Sequence, residues 1–185
     1  MLGTNYYLMK LTVVRHTKVD VPKGICYGVS DVELAATAPN EIDLVVAQLQ
    51  NEIFDAVYTS PLNRCRVLAK AIRPDQEQIA DARLLELNFG DWEMGSWQQI
   101  YESEQGKVWF NDYLHEKCPN GQSYMDMVAA VKEFLGELQQ KQYKHVLIVA
   151  HAGIIRTLIS ITKQRNPFGV LEIPIAFGDI FTFDI

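Results

Sequence analysis

Apolar residues along the chain fall into short runs of two kinds. Residues 6–14 are apolar except for Lys10 and Thr12, the pattern of a strand buried on both faces. In residues 41–52, "EIDLVVAQLQNE", Ile42, Val45, Val46 and Leu49 recur at helical spacing. "FDAVYTS" predicts a second strand, and "SPLNRCRVLAKAI" a helix with Ser60 as N-cap and Pro61 in the first helical position. Leu84 to Asn120 is irregular and aromatic, with Phe89, Trp92, Trp97, Tyr101, Trp109, Phe110 and Tyr113. It predicts short helices and a lid-like insertion around 88–120. "SYMDMVAAVKEFLGELQQ" is a firm helix with Ser123 and Asp126 at capping-box spacing. "HVLIVA" is a third strand ending at His151, and "GIIRTLISIT" the helix after it. Two terminal strands, near 171–176 and 180–184, are expected to close the sheet.

Strands alternating with helices, without a repeat or a linker, predict a single α/β domain over 1–185 with a largely parallel sheet. Ligands of such sheets bind beyond the carboxyl ends of the strands. Arg15–His16, Thr59–Ser60 and His151 all fall at that edge.

Composition narrows the ligand. The 185 residues are 48% hydrophobic and 22% charged, ordinary for a globular protein, with a formal net charge of −6. No basic run exists to neutralise nucleic-acid phosphates, so an anion must be drawn by a local cationic pocket. Cys26, Cys65 and Cys118 are odd in number, widely spaced and without a CxxC pair, which fits reduced thiols in a cytoplasmic protein. The N-terminus lacks signal-peptide features, and the apolar runs are too short to span a bilayer.

A histidine after a strand is usually a hydrogen-bonded structural residue, but two at one sheet edge favour function. His115 and His145 lack that setting and read as surface or helix-end residues. Arg64 lies in the first turn of its predicted helix, where it opposes the helix dipole. A bound phosphate would make both favourable; the alternative is a salt bridge to one of the 23 acidic residues, which suits Arg66 and Arg73 better. Glu86 sits among apolar neighbours, where desolvation raises a carboxyl pKa toward that of a general acid, or it pairs with an arginine. A metal site is the weaker reading of these histidines, because they are far apart in sequence and flanked by arginine. No Gly-rich nucleotide loop is present.

In order, Arg15-His16-Thr17, Ser60-Pro61-Leu62-x-Arg64, Glu86-x-x-Phe89-Gly90-x-Trp92-Glu93 and His151-Ala152-Gly153 resemble the histidine phosphatase superfamily, the phosphoglycerate-mutase-like group, across nearly the whole chain. The resemblance implies a three-layer α/β/α sandwich with a mostly parallel central sheet. It implies His16 as the nucleophile, Arg15, Arg64 and His151 as the phosphate pocket, Glu86 as proton donor, and no metal or other cofactor. His151, when protonated, would add a further charge. Within the family, "RHTKVDVPKGICYGVSDVEL" is similar to the opening of alpha-ribazole phosphatases, which remove a 5′-phosphate in cobalamin nucleotide-loop assembly. On that likeness Thr17, Cys26, Tyr27 and Gly28 join the substrate-binding set. Met94 and Gln122 depart from the family pattern, the glutamine standing where glutamate is common.

The expected partner is a small-molecule phosphate monoester, with a second copy of the chain as a further candidate, and neither nucleic acid nor a membrane. A phosphoglycerate mutase or a broad-specificity phosphatase is the alternative chemistry. A noncatalytic binder of phosphorylated ligands is the alternative class, disfavoured because a binder has no use for a proton donor.

Overall fold

The computed structural model describes residues 8–170 and 172–185, so Tyr6 and Tyr7 of the first predicted strand lie outside the described residues. The elements are β1 (Lys10–Arg15), α1 (Ala38–Leu49), β2 (Ala56–Thr59), α2 (Asn63–Ile72), β3 (Gln78–Ala80), α3 (Trp97–Glu102), α4 (Glu104–Asn111), α5 (Tyr124–Leu138), β4 (His145–Ala150), α6 (Ala152–Thr162), α7 (Pro167–Val170) and β5 (Ile180–Asp184). Two 3-10 turns, Ala82–Leu84 and Gly90–Trp92, interrupt the middle.

The sheet order is β3-β2-β4-β1-β5, parallel throughout except for β5, which runs antiparallel along β1. Register pairs Val13 with Ile148 and Thr59 with Val149. Alternate side chains of each central strand enter different cores. Leu11, Val13, Val146 and Ile148 pack with Val131 and Phe134 of α5 and Ile154 and Leu158 of α6. Val14, Val57, Leu147 and Val149 pack with Val45 of α1 and Leu68 of α2. Both faces are therefore covered, which explains the unbroken apolar runs of β1 and β4 and makes three α/β/α layers. Among the described residues, no helix is long and apolar enough to cross a membrane.

Four expectations change. Helix α1 begins at Ala38, earlier than the apolar periodicity marked, with a proline in its first turn. Helix α2 begins at Asn63, not at Ser60–Pro61: Leu62 is extended, and the Ser60 hydroxyl is engaged by His151 and the Leu62 N–H instead of capping a helix. Residues 172–176 form no strand, because the Ile173 and Ile175 carbonyls are taken by Arg156 and Arg15 instead of a ladder. Finally β3, three residues at the far edge, is too short for alternation to reveal it.

The capping box of α5 forms as its spacing predicts: Asp126 N–H donates to Ser123 Oγ at 3.2 Å and Ser123 N–H to Asp126 Oδ2 at 3.0 Å. Ser123→Ala should lower unfolding free energy by about 1 kcal/mol, read as a reduced urea midpoint at constant slope; an unmoved midpoint would show that the box is energetically idle.

Candidate active site

Three strand ends build the site. Arg15 is the last residue of β1, His16 follows it, Ser60 follows β2, and His151 follows β4. Together with Arg64 from the first turn of α2, these line a cavity of about 480 Å³, except that Ser60 stands behind His151. This is the carboxyl edge of the parallel strands, as the element order required.

His16 is nearly buried, and its Nδ1–H donates to the Thr17 carbonyl at 2.8 Å. That bond leaves Nε2 with a free lone pair. Burial first, then the charges of Arg64 and Arg15, push its pKa down to about 3 against the opposing Thr17 bond. His151 is fully buried with its ring 5.1 Å from that of His16, and its Nε2 lies 2.8 Å from Ser60 Oγ. Burial, then His16 and the two arginines, hold it well below the ordinary histidine value. Both imidazoles are neutral at pH 7, so His151 adds a hydrogen bond and not the charge that a protonated ring would bring.

The arginines are cations without acid partners: among the described residues neither forms an ion pair. Arg64 is completely buried and donates to the Ser30 carbonyl at 2.8 Å and the Gly28 carbonyl at 2.6 Å. Arg15 donates to the Ile175 carbonyl at 2.5 Å and lies 3.9 Å above the Phe177 ring. Each has a buried Nε without a partner. Two fixed guanidinium groups beside a lone-pair nitrogen suit a tetrahedral dianion.

Glu86 also borders the cavity, half-buried. Its oxygens accept the Leu87 and Gly153 N–H groups, each at 3.1 Å, in place of an arginine. The second bond depends on glycine, because a Cβ at Gly153 would collide with the carboxylate.

Of the residues expected to contact substrate, Tyr27 lines the cavity. Thr17, Cys26 and Gly28 do not; they stand behind its wall. Thr17 is buried and supplies the carbonyl that orients His16. Cys26 is fully buried, its backbone bonded to Met94 and Gly95, and burial pushes its thiol pKa far up. Gly28 presents its carbonyl to Arg64 and its N–H to Glu93. Gln122 likewise faces away, its side-chain oxygen accepting the Asn88 N–H at 3.2 Å. His115 is exposed beside Asp112, whereas His145 is half-buried at the opposite end of β4, bonded to Thr12. Arg73 bonds backbone carbonyls, including those of Leu49 and Glu52, instead of an acid.

Sequence reasoning missed Arg156, which lines the cavity; a single cation in the apolar run "GIIRTLISIT" was its available signal. It also missed Phe177 beneath Arg15, which had none. Beyond the arginines the cavity is aromatic, walled by Phe89, Trp97, Trp109 and Phe110, with the Trp97 and Trp109 rings 27° from parallel. Among the described residues, no group of three or more His, Cys, Asp or Glu is placed to hold a metal.

Comparisons with known proteins agree with this geometry. The family described as histidine phosphatase superfamily (branch 1) matches residues 11–179. The adenosylcobalamin/alpha-ribazole phosphatase of Escherichia coli (strain K12) is 29% identical over 160 residues, covering 82% of this chain and 78% of its own. Phosphoserine phosphatase 1 of Hydrogenobacter thermophilus is 26% identical over 157 residues, covering 82% and 74%. Phosphoglycerate mutases dependent on 2,3-bisphosphoglycerate match as well. The crystal structure of the alpha-ribazole phosphatase from Shigella flexneri superposes with a TM-score of 0.88 at 25% identity, over 96% of this chain and 91% of that one.

Glu93 holds the site from behind, accepting the N–H groups of Gly28, Val29, Ser30 and Phe89 and the Ser30 hydroxyl. Burial alone would raise its pKa, but these donors together outweigh burial and keep it below the usual carboxylate value. The stability it contributes is present at neutral pH and is lost as pH falls through that lowered value. Glu93→Gln should therefore be less stable by roughly 1–3 kcal/mol at pH 7, and the gap should close in acid. Urea unfolding at several pH values checks this; a pH-independent gap would contradict it.

Proposed function

The chain belongs to the histidine phosphatase superfamily (branch 1) and is a phosphoric monoester hydrolase, and on that premise we propose a cytoplasmic enzyme that removes the 5′-phosphate of alpha-ribazole 5′-phosphate through a phosphohistidine at His16. The observation that carries the substrate reading is the division of the cavity. At the strand termini it holds two cations and two neutral imidazoles, with Arg156 a third cation close enough to act on Arg15, while the rest of the lining is largely aromatic. An inner end of that kind suits one phosphoryl group, and an aromatic outer end suits the flat heterocyclic base of a nucleotide. The cytoplasmic part rests on Cys26, Cys65 and Cys118, all free and buried.

In this reading His16 Nε2 attacks phosphorus in line with the ester oxygen. The P–O bond breaks as the P–N bond forms, and Glu86 gives its proton to the departing alkoxide. Arg15 and Arg64 hold the non-bridging oxygens, with His151 as a neutral donor beside them. In the second half Glu86 takes a proton from water, the oxygen attacks the phosphohistidine, and inorganic phosphate leaves with His16 neutral again. The segment 88–120 acts as the cover of the site.

A second reading takes Arg156 as a carboxylate anchor, which would favour phosphoserine or 3-phosphoglycerate. Against it, Arg156 gives both Nε–H and one terminal N–H to the Ile173 carbonyl, at 3.2 and 3.0 Å, which takes two of its five N–H donors and ties one side of the guanidinium to the fold. A mutase would also need room and charge for a second phosphate, and the outer wall is apolar.

Turnover of alpha-ribazole 5′-phosphate, 3-phosphoglycerate and phosphoserine, measured side by side, tests the substrate. Aromatic stacking of about 1–3 kcal/mol per base should give the first a kcat/KM advantage of roughly five- to hundredfold, which Trp97→Ala should largely erase. A higher kcat/KM for either carboxylate-bearing ester would overturn the assignment. Quenching during turnover of a 32P-labelled ester should trap label on His16 and none in His16→Ala; an unlabelled wild-type protein that still turns over would exclude the phosphohistidine. Glu86→Gln should slow alkyl phosphates more than p-nitrophenyl phosphate, by roughly tenfold to a hundredfold, since nitrophenolate leaves without a proton. Equal losses would remove Glu86 from the proton-transfer role.

A further inference from the structure

A neutral imidazole carries one proton, and which nitrogen holds it decides whether His151 can donate to a phosphoryl oxygen. His151 Nε2 is 2.8 Å from Ser60 Oγ. The Ser60 oxygen already accepts the Leu62 N–H, at 3.4 Å. Among the described residues Ser60 Oγ hydrogen-bonds only to the Leu62 N–H and to His151 Nε2, so the imidazole nitrogen is the acceptor within reach of its hydroxyl hydrogen. The Cys65 thiol also borders the ring, its sulfur 3.6 Å from Nε2 and 3.9 Å from Nδ1, but its proton has the Ala150 carbonyl at 3.5 Å, and the Ser60 contact on Nε2 is far shorter. Burial and the surrounding cations keep the ring neutral, so a tautomer choice exists to be made.

We propose that Ser60 is a positioning residue that sets the tautomer of His151: its hydroxyl donates to Nε2, and the single imidazole proton is held on Nδ1, ready for a phosphoryl oxygen. The chain of donation runs from Leu62 N–H to Ser60 Oγ–H to His151 Nε2, and then from His151 Nδ1–H to the ligand. Ser60 touches no substrate in this arrangement, because His151 stands between it and the cavity. The arrangement also explains why a serine followed by proline does not cap the next helix. An N-cap must aim its oxygen at the following turn, and here that oxygen is aimed at the histidine. The mirror histidine is fixed by the opposite device: the Thr17 carbonyl accepts from His16 Nδ1 and leaves Nε2 bare. One ring is thus prepared to attack and the other to donate.

The functional part of this inference rests on the phosphatase reading, whereas the tautomer is a property of the resting protein and is measured without turnover. Long-range 1H–15N correlation of the histidine-labelled full chain at pH 7, with the His151 signals assigned by their loss in His151→Gln, should show a protonated Nδ1 and a bare Nε2. In Ser60→Ala the His151 signals should move toward the other tautomer. On p-nitrophenyl phosphate, Ser60→Ala should lose roughly ten- to hundredfold in kcat/KM, with weaker inhibition by inorganic phosphate, and Ser60→Thr should restore both. A wild-type His151 with its proton on Nε2, or a Ser60→Ala protein with unchanged His151 signals, overturns the proposal whatever the enzyme hydrolyses. Should Ser60→Ala not fold, the wild-type spectrum and Ser60→Thr decide alone. Correct tautomer signals without any phosphatase activity would sink the functional reading and leave the role of Ser60 standing.

Discussion

A fully buried guanidinium with no carboxylate beside it is the constraint on which this molecule turns. Taking Arg64 out of water carries a large desolvation cost, and a carboxylate partner would recover it at the expense of the empty cationic site. The chain uses backbone dipoles instead. Gly28 and Ser30 aim their carbonyls at Arg64, and their N–H groups, with that of Val29, at Glu93. The loop is a polarised spacer between a cation and an anion that never meet. Its position is sterically closed as well, since a Cβ on Gly28 would run into the Leu87 carbonyl, Glu93 and Phe89. The full positive charge of Arg64 consequently remains for a ligand.

The two histidines follow from the same enclosure. Burial first, and then the charges of Arg15 and Arg64, hold both rings below the ordinary histidine value, so neither competes with the arginines as a cation. The inner end of the cavity therefore carries its positive charge on the arginines, with the bare Nε2 of His16 beside them. A phosphate dianion meets both needs at once. The protein as a whole, at −6, repels anions, so attraction is confined to this end of the cavity and is short in range.

How legible this was depended on what kind of contact each residue makes. Arg15, His16 and His151 were legible as polar groups at the ends of apolar runs, Arg64 as a cation in a helix's first turn and Glu86 as an acid among apolar neighbours, and the structure brings all five to one cavity. Hydrophobic period alone gave the paired cores on the two faces of β1 and β4. What failed were residues whose work is done through the backbone. Cys26, Gly28 and Thr17 look like substrate contacts in the sequence, yet they matter through peptide groups that orient other residues. Ile173 and Ile175 look like strand because they are apolar and β-branched; their carbonyls are spent on arginines, an engagement no single-residue propensity encodes. Ser60 satisfied the pattern of an N-cap, and a tertiary partner claimed its hydroxyl.

The division of labour within the fold bears on substrate. The charged end is built from strand termini and the first turns of α2 and α6, all tied to the shared sheet. The aromatic end is built largely from Phe89, Trp97, Trp109 and Phe110, in the segment between Ala80 and Tyr124 that crosses no strand of the sheet. The two ends are nevertheless tied, because Glu86 and Glu93 come from that same segment: Glu86 accepts the Gly153 N–H, and Glu93 accepts the N–H of Phe89 and those of the loop whose carbonyls hold Arg64. Phe89 shows the tie at one residue: its ring walls the cavity while its N–H donates to Glu93, so a change that reshapes the aromatic wall there also bears on the anion that braces the Arg64 loop.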